Sequence, residues 1–140
     1  MTKRIRITSD ESPAHTGTLK HSVDFICAEG TPVCAAADGK VIEIKSDGIL
    51  GGKTQDFEKH GNYVEIEHAN EEYSEYEHLK PEGIVVVVGQ FVRKGELIGF
   101  TGVTGWLAHL GPHLHFMVGK YGKTVKDYQT LKIKWEKKQS

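Results

Sequence analysis

Gly111-Pro112-His113-Leu114-His115-Phe116-Met117-Val118 carries two patterns at once. Along a β-strand successive side chains alternate between faces. Leu114, Phe116 and Val118 therefore make an apolar stripe, while His113 and His115 stand together on the other side. Such a strand belongs between a hydrophobic core and a chemical site. Paired neutral imidazoles suit zinc, as two ligands or as one ligand beside a base.

The same two-residue period recurs upstream. Residues 62–68 put Val64, Ile66 and His68 on one face and Tyr63, Glu65 and Glu67 on the other. Residues 73–79 form another run, in which Tyr76 and His78 share a face, and Ala69-Asn70-Glu71-Glu72 joins the two runs as a hairpin. In Ser22-Val23-Asp24-Phe25-Ile26 the apolar residues take one side and Asp24 the other. A carboxylate in an apolar strand needs a partner or a metal. The Asp38-Gly39 pair, between the apolar runs 33–36 and 41–44, predicts a second hairpin. Residues 84–88, 90–92, 97–101 and 131–135 read as further short strands, and 124–131 as a turn or two of helix. Helical periodicity is otherwise poor. The expected fold is all-β, built of stacked antiparallel sheets in a single domain over residues 1–140.

Composition narrows the function. The chain has 140 residues with 18 Lys and Arg against 19 Asp and Glu, so its net charge is −1. That length suits one domain with a sizeable core. A content of 38% hydrophobic and 26% charged residues fits a globular protein rather than a disordered one. Near-neutrality without a basic block excludes a phosphate-dominated grip on nucleic acid. The longest apolar run, Ile84-Val85-Val86-Val87-Val88, is far shorter than the roughly 20 residues of a membrane helix. The opening MTKRIRITSD has no apolar h-region, so no signal peptide is expected in it. Cys27 and Cys34 do not fit a paired CxxC zinc site and read as two small buried thiols, with their pairing left open. Eight histidines remain to be explained.

The ordered set Asp24-Phe25, Gly30-Thr31-Pro32-Val33, Ala36-Ala37-Asp38-Gly39-Lys40-Val41, Gly61-Asn62-Tyr63-Val64, Tyr76-Glu77-His78-Leu79, Val92-Arg93-Lys94-Gly95, Ile98-Gly99 and Gly111-Pro112-His113-Leu114-His115-Phe116 resembles the M23 peptidases. These are zinc endopeptidases of the LytM and lysostaphin type that cut peptidoglycan. The resemblance runs from about His15 to Val118. It implies a duplicated hybrid motif of antiparallel sheets with a substrate groove, one zinc ion, and a peptide or peptidoglycan substrate. It further implies Asp24 and His115 as zinc ligands and His78 and His113 as catalytic histidines. M23 enzymes usually act outside the cytoplasm, so the location of this chain is left open.

One position departs from the family pattern. The first zinc histidine usually stands four residues before the Asp, and here Lys20 occupies that place. His15, nine residues before Asp24 in a glycine-bearing loop, is the favoured replacement, because a flexible loop delivers a ligand without breaking strand parity. His21, turned back by a bulge, is the alternative. Asn62, Tyr76 and His109 are placed along the groove, while His60 and His68 read as structural, His68 as a hydrogen-bonded core histidine. The expected activity is peptide-bond hydrolysis by a metal-activated water, in peptidoglycan or a Gly-containing peptide. The alternatives are an inactive M23-like binding or regulatory module, and a sugar-phosphotransferase IIA carrier of similar hybrid-barrel fold. The carrier does not account for an Asp together with a His-x-His.

Overall fold

The apolar runs assemble into one large antiparallel sheet backed by smaller ones. The structure is a computed structural model that describes residues 6–8, 21–106, 111–121, 129–131 and 133. Among these the strands are β1 (Arg6–Thr8), β2 (Val23–Ile26), β3 (Pro32–Cys34), β4 (Gly39–Lys45), β5 (Gly51–Gly52), β6 (Tyr63–Glu67), β7 (Glu72–Glu77), β8 (Phe91–Val92), β9 (Leu97–Phe100), β10 (Gly105–Trp106), β11 (His113–Lys120) and β12 (Gln129–Leu131). The large sheet runs β1-β2-β11-β7-β6-β4-β8, with β12 also pairing β11. β3 and β9 form a separate antiparallel pair, whereas β5 and β10 are parallel.

The core lies between the large sheet and the β3–β9 pair. Val41, Val64, Ile66, Tyr76, Val92 and Phe116 come from the sheet; Val33, Ile98, Leu79 and Val86 close over them. Each fully buried aliphatic chain here contributes about 1.5–3 kcal/mol. A bulge between Val41 and Glu43 keeps β4 in step. Val41 faces Ile66, and beyond the bulge Ile44 faces Val64, so Glu43 turns with Glu65 to the opposite face. Without that extra residue Ile44 would point away from the core.

Four local expectations change. The Asp38-Gly39 hairpin does not form, because β3 pairs with β9 while β4 pairs with β6 and β8. Gly39 serves close approach instead of a turn: a Cβ there would lie 2.3 Å from the Glu67 carbonyl oxygen. Residues 84–88 are irregular rather than a strand: Val86 enters the core and Ile84 packs against it, while Val85, Val87 and Val88 are exposed. Cys34 is exposed and Cys27 half-buried, both as free thiols. Residues 129–131 are strand rather than helix, and 122–128 lie outside the described residues. The β6–β7 hairpin forms as expected. Among the described residues no helix is long and apolar enough to cross a membrane.

Candidate metal centre and catalytic groups

Register brings the site together. β11 inserts between β2 and β7, so His115 stands opposite Asp24 on one side and Glu77 on the other. All three side chains project from the face of the sheet away from the core. Asp24 Oδ1 lies 3.1 Å from His115 Nδ1 and 3.6 Å from His113 Nε2. Asp24, His113 and His115 are all buried. Burial opposes charge on His115, but Glu77 and Asp24 together outweigh it and hold its pKa above the ordinary histidine value.

His78 reaches the same place by a backbone exception. β7 ends at Glu77, and His78 adopts φ +68°, the left-handed region that non-glycine residues seldom enter. Strand parity breaks there, and the ring turns onto the other histidines, with centroids 4.6 Å from His113 and 6.0 Å from His115. Its Nδ1–H donates to the Thr104 carbonyl at 2.7 Å. Burial first, then the neighbouring His113 and His115, push its pKa down to about 3, so it is neutral at pH 7. His113 is fixed similarly, its Nδ1–H donating to the Gly111 carbonyl at 2.7 Å. Neutral His78 carries a lone pair on Nε2, and His113 Nε2 faces Asp24 Oδ1 at 3.6 Å.

The sheet beyond His115 is strongly acidic. Glu43, Glu65 and Glu75 follow one another across β4, β6 and β7 on this face, and Glu77 is two residues along from Glu75. Tyr63 donates to Glu43 at 2.6 Å and Tyr121 to Glu65 at 2.9 Å. Burial, then the charge of Glu77 and Glu65, pushes the Glu75 pKa well above its ordinary 4.5. Below pH 4.5 the carboxyl is protonated in both folded and unfolded chains and costs nothing. Above it the unfolded chain ionises first, so the folded state loses stability until the raised pKa is passed. Glu75→Gln therefore raises the melting temperature at pH 7 and leaves it unchanged at pH 4. Thermal melts at the two pH values check this; an equal shift at both contradicts it.

The structure thus brings together Asp24, His78, His113 and His115. His15 and His109 lie outside the described residues. His21 is in the turn before β2, its backbone N–H bonded to Thr130 Oγ1 at 3.1 Å. Among the described residues no group of three His, Cys, Asp or Glu side chains is set to hold a metal ion. Tyr76 is not on the groove side. It packs against Phe116 in the core, and its hydroxyl accepts the Ala36 N–H at 2.8 Å. The left-handed turn at His78 is what parts the two residues. Asn62 is fully buried, its amide bonding the backbone of Gly48 and Leu79. His68 is half-buried, with Nδ1 donating to the Asp38 carbonyl and Nε2 accepting from Ser74 Oγ. Glu77 and Thr104 were not singled out in the sequence. Glu77 alternates with Tyr76 and so belongs to the polar face, but its neighbour is set by the β7–β11 register.

The donor chemistry fits a borderline divalent ion. A carboxylate oxygen and an imidazole nitrogen converge in a buried setting, beside two further imidazoles that can handle protons. Comparison with known proteins agrees. Residues 18–127 match the profile of peptidase family M23. The DD-carboxypeptidase/endopeptidase Mpg of Neisseria meningitidis serogroup B is 41% identical over 111 residues, covering 79% of this chain and 22% of Mpg. The catalytic domain of lysostaphin from Staphylococcus simulans superposes with a TM-score of 0.64 at 27% identity, covering 90% of this chain and 88% of that domain. A zinc-containing peptidase from Vibrio cholerae superposes at 0.58 with 33% identity, covering 83% of this chain and 33% of that one. The chain spans about a fifth to a third of the length of the curated relatives it matches.

Proposed function

The chain belongs to peptidase family M23, and from that premise we propose that it is a zinc-dependent endopeptidase that hydrolyses peptide bonds of peptidoglycan. The observation that carries this reading is the convergence of Asp24, His78, His113 and His115 on one buried cluster. Mpg, named as a DD-carboxypeptidase/endopeptidase, and the zinc-containing Vibrio peptidase support it. Such a substrate would require the protein to act in the cell envelope.

Asp24 and His115 would hold one zinc ion, with His15 as the third ligand on the strength of its place in the sequence. A bound ion supplies positive charge that lowers the pKa of a water toward about 7 and offsets the developing oxyanion. The remaining steps fall to the protein. His113, held by the Gly111 carbonyl through Nδ1–H, accepts the proton of the attacking water at Nε2. His78, held by Thr104, orients that water through its own Nε2 lone pair. Once protonated, His113 returns its proton to the departing amine. Burial of both rings limits competing solvent contacts.

Metal analysis and product release from purified peptidoglycan test the assignment together. The wild-type protein is expected to carry one zinc ion and to release peptide fragments. His113→Ala should keep the zinc and lose about 10²–10⁴-fold in rate, and His15→Ala should lose the zinc. A wild-type protein that holds zinc and binds peptidoglycan without cutting it would instead establish the binding-module reading. Full zinc content in His15→Ala would remove His15 from the ligand set.

A further inference from the structure

Leu79, the residue after His78, is held at both of its backbone groups. Its N–H donates to the Asn62 carbonyl at 3.2 Å. Its carbonyl accepts from the Thr104 hydroxyl at 2.9 Å and from the Asn62 side-chain amide at 3.2 Å. The Thr104 hydroxyl in turn accepts the Asn62 N–H at 3.1 Å. The Asn62 side chain also pairs with the Gly48 backbone, accepting its N–H and donating to its carbonyl, each at 2.8 Å. Asn62 and Thr104 are both buried, and every donor of the two side chains is used within the protein. A buried polar network that is fully satisfied rigidifies the backbone it joins.

The backbone it joins here is strained. His78 has φ +68°, and a non-glycine residue stays in the left-handed region only where its surroundings over-determine it. The clamp on Leu79 does this from one side of the turn. The Gly102 N–H, donating to the His78 carbonyl at 2.7 Å, adds to it. Thr104 has a second hold, since its own carbonyl accepts the His78 Nδ1–H at 2.7 Å. One residue thus grips the turn with its side chain and the ring with its backbone.

We propose that Asn62 and the Thr104 hydroxyl are positioning residues for catalysis: by clamping Leu79 they hold the left-handed turn that aims the His78 ring into the site. The inference rests on the reading of His78 as a catalytic histidine and extends it to two side chains that act only through that ring.

The test uses zinc-loaded protein and soluble peptidoglycan fragments, well below the melting temperature, with circular dichroism reading the fold. Thr104→Val removes the hydroxyl and keeps the volume. Asn62→Asp keeps the acceptor for Gly48 and loses the donor to Leu79. A misplacement of about 1 Å costs on the order of 10²-fold in rate. Each variant is therefore expected to lower kcat about 10–100-fold, with KM and zinc content unchanged. Thr104→Ser, which restores the hydroxyl, should recover most of the loss. Combined with His78→Ala, neither substitution should lower kcat further, because the group it positions is gone. If only one of the two variants folds, that one decides. A folded variant with wild-type kcat, or one that slows His78→Ala by the factor it slows wild type, overturns the proposal and leaves His78 in its role. Loss of the fold in both overturns it in favour of a purely structural network. A wild-type rate in His78→Ala overturns the reading beneath it, and a wild-type protein that cuts no peptidoglycan overturns the proposed function itself.

Discussion

Asp24→Ala is expected to abolish zinc retention and to lower peptidoglycan hydrolysis by about 10³-fold or more, the equivalent of several kcal/mol of lost charge stabilisation. Asp24 is fully buried, and its Oδ1 sits 3.1 Å from His115 and 3.6 Å from His113. It is the one carboxylate that β2 delivers to the cluster. Without it a divalent ion would rest on neutral imidazoles alone, with no formal charge to balance its own. The fold should survive, because the loss also relieves a buried charge, and His115 then has only Glu77 to favour its protonated form. Asp24→Asn separates shape from charge, since it preserves volume and should lose the metal almost as completely. Elemental analysis beside circular dichroism reads both outcomes; a folded Ala variant with full zinc content would sink the assignment.

Gly105→Ala should damage stability and rate together. Gly105 has φ +87°, and a Cβ there would lie 2.7 Å from Gly61 Cα and 3.2 Å from His78 Nδ1. A left-handed alanine costs about 1–2 kcal/mol, and forcing packed backbone apart costs about 1–3 kcal/mol more. The combined loss of about 2–5 kcal/mol lowers the melting temperature by roughly 5–20 °C. Relief of the clash must also displace the His78 ring or the neighbouring Thr104 carbonyl that fixes its tautomer. The rate should therefore fall even at temperatures where the variant is folded, with zinc content preserved. Calorimetry with kinetics well below the transition checks both parts. A variant that melts and reacts like wild type would falsify the account of this corner.

The two faces of β11 and β2 were legible because each strand is apolar on one side and chemical on the other. Period two needs no knowledge of neighbours, so His113, His115 and Asp24 could be placed before their contacts were known. The β6–β7 hairpin was legible for the same reason, its two runs being close in sequence. Other features depend on neighbours that sequence does not name. Asp38-Gly39 has the composition of a turn, but Gly39 is required by the Glu67 carbonyl pressing on it from β6. The run 84–88 has the composition of a strand, yet it makes only scattered bonds such as Val85 N–H to the Ile98 carbonyl. Tyr76 and His78 obey parity until a left-handed residue breaks it, and a histidine at φ +68° leaves no mark in composition. Glu77 became informative only once β7 was seen lying against β11.

The insertion of β11 between β2 and β7 also sets a schedule. β6 and β7 are adjacent in the chain and can pair as soon as both have been made. Asp24 and His115 are 91 positions apart, and β11 joins β2 to β7. Contacts of such long sequence separation close late, because the loop entropy must be lost before they give anything back. During synthesis the ribosome thus carries a chain that already holds Asp24 and His78 but lacks the His-x-His strand. On the proposed reading, the site is therefore incomplete until β11 has joined the sheet.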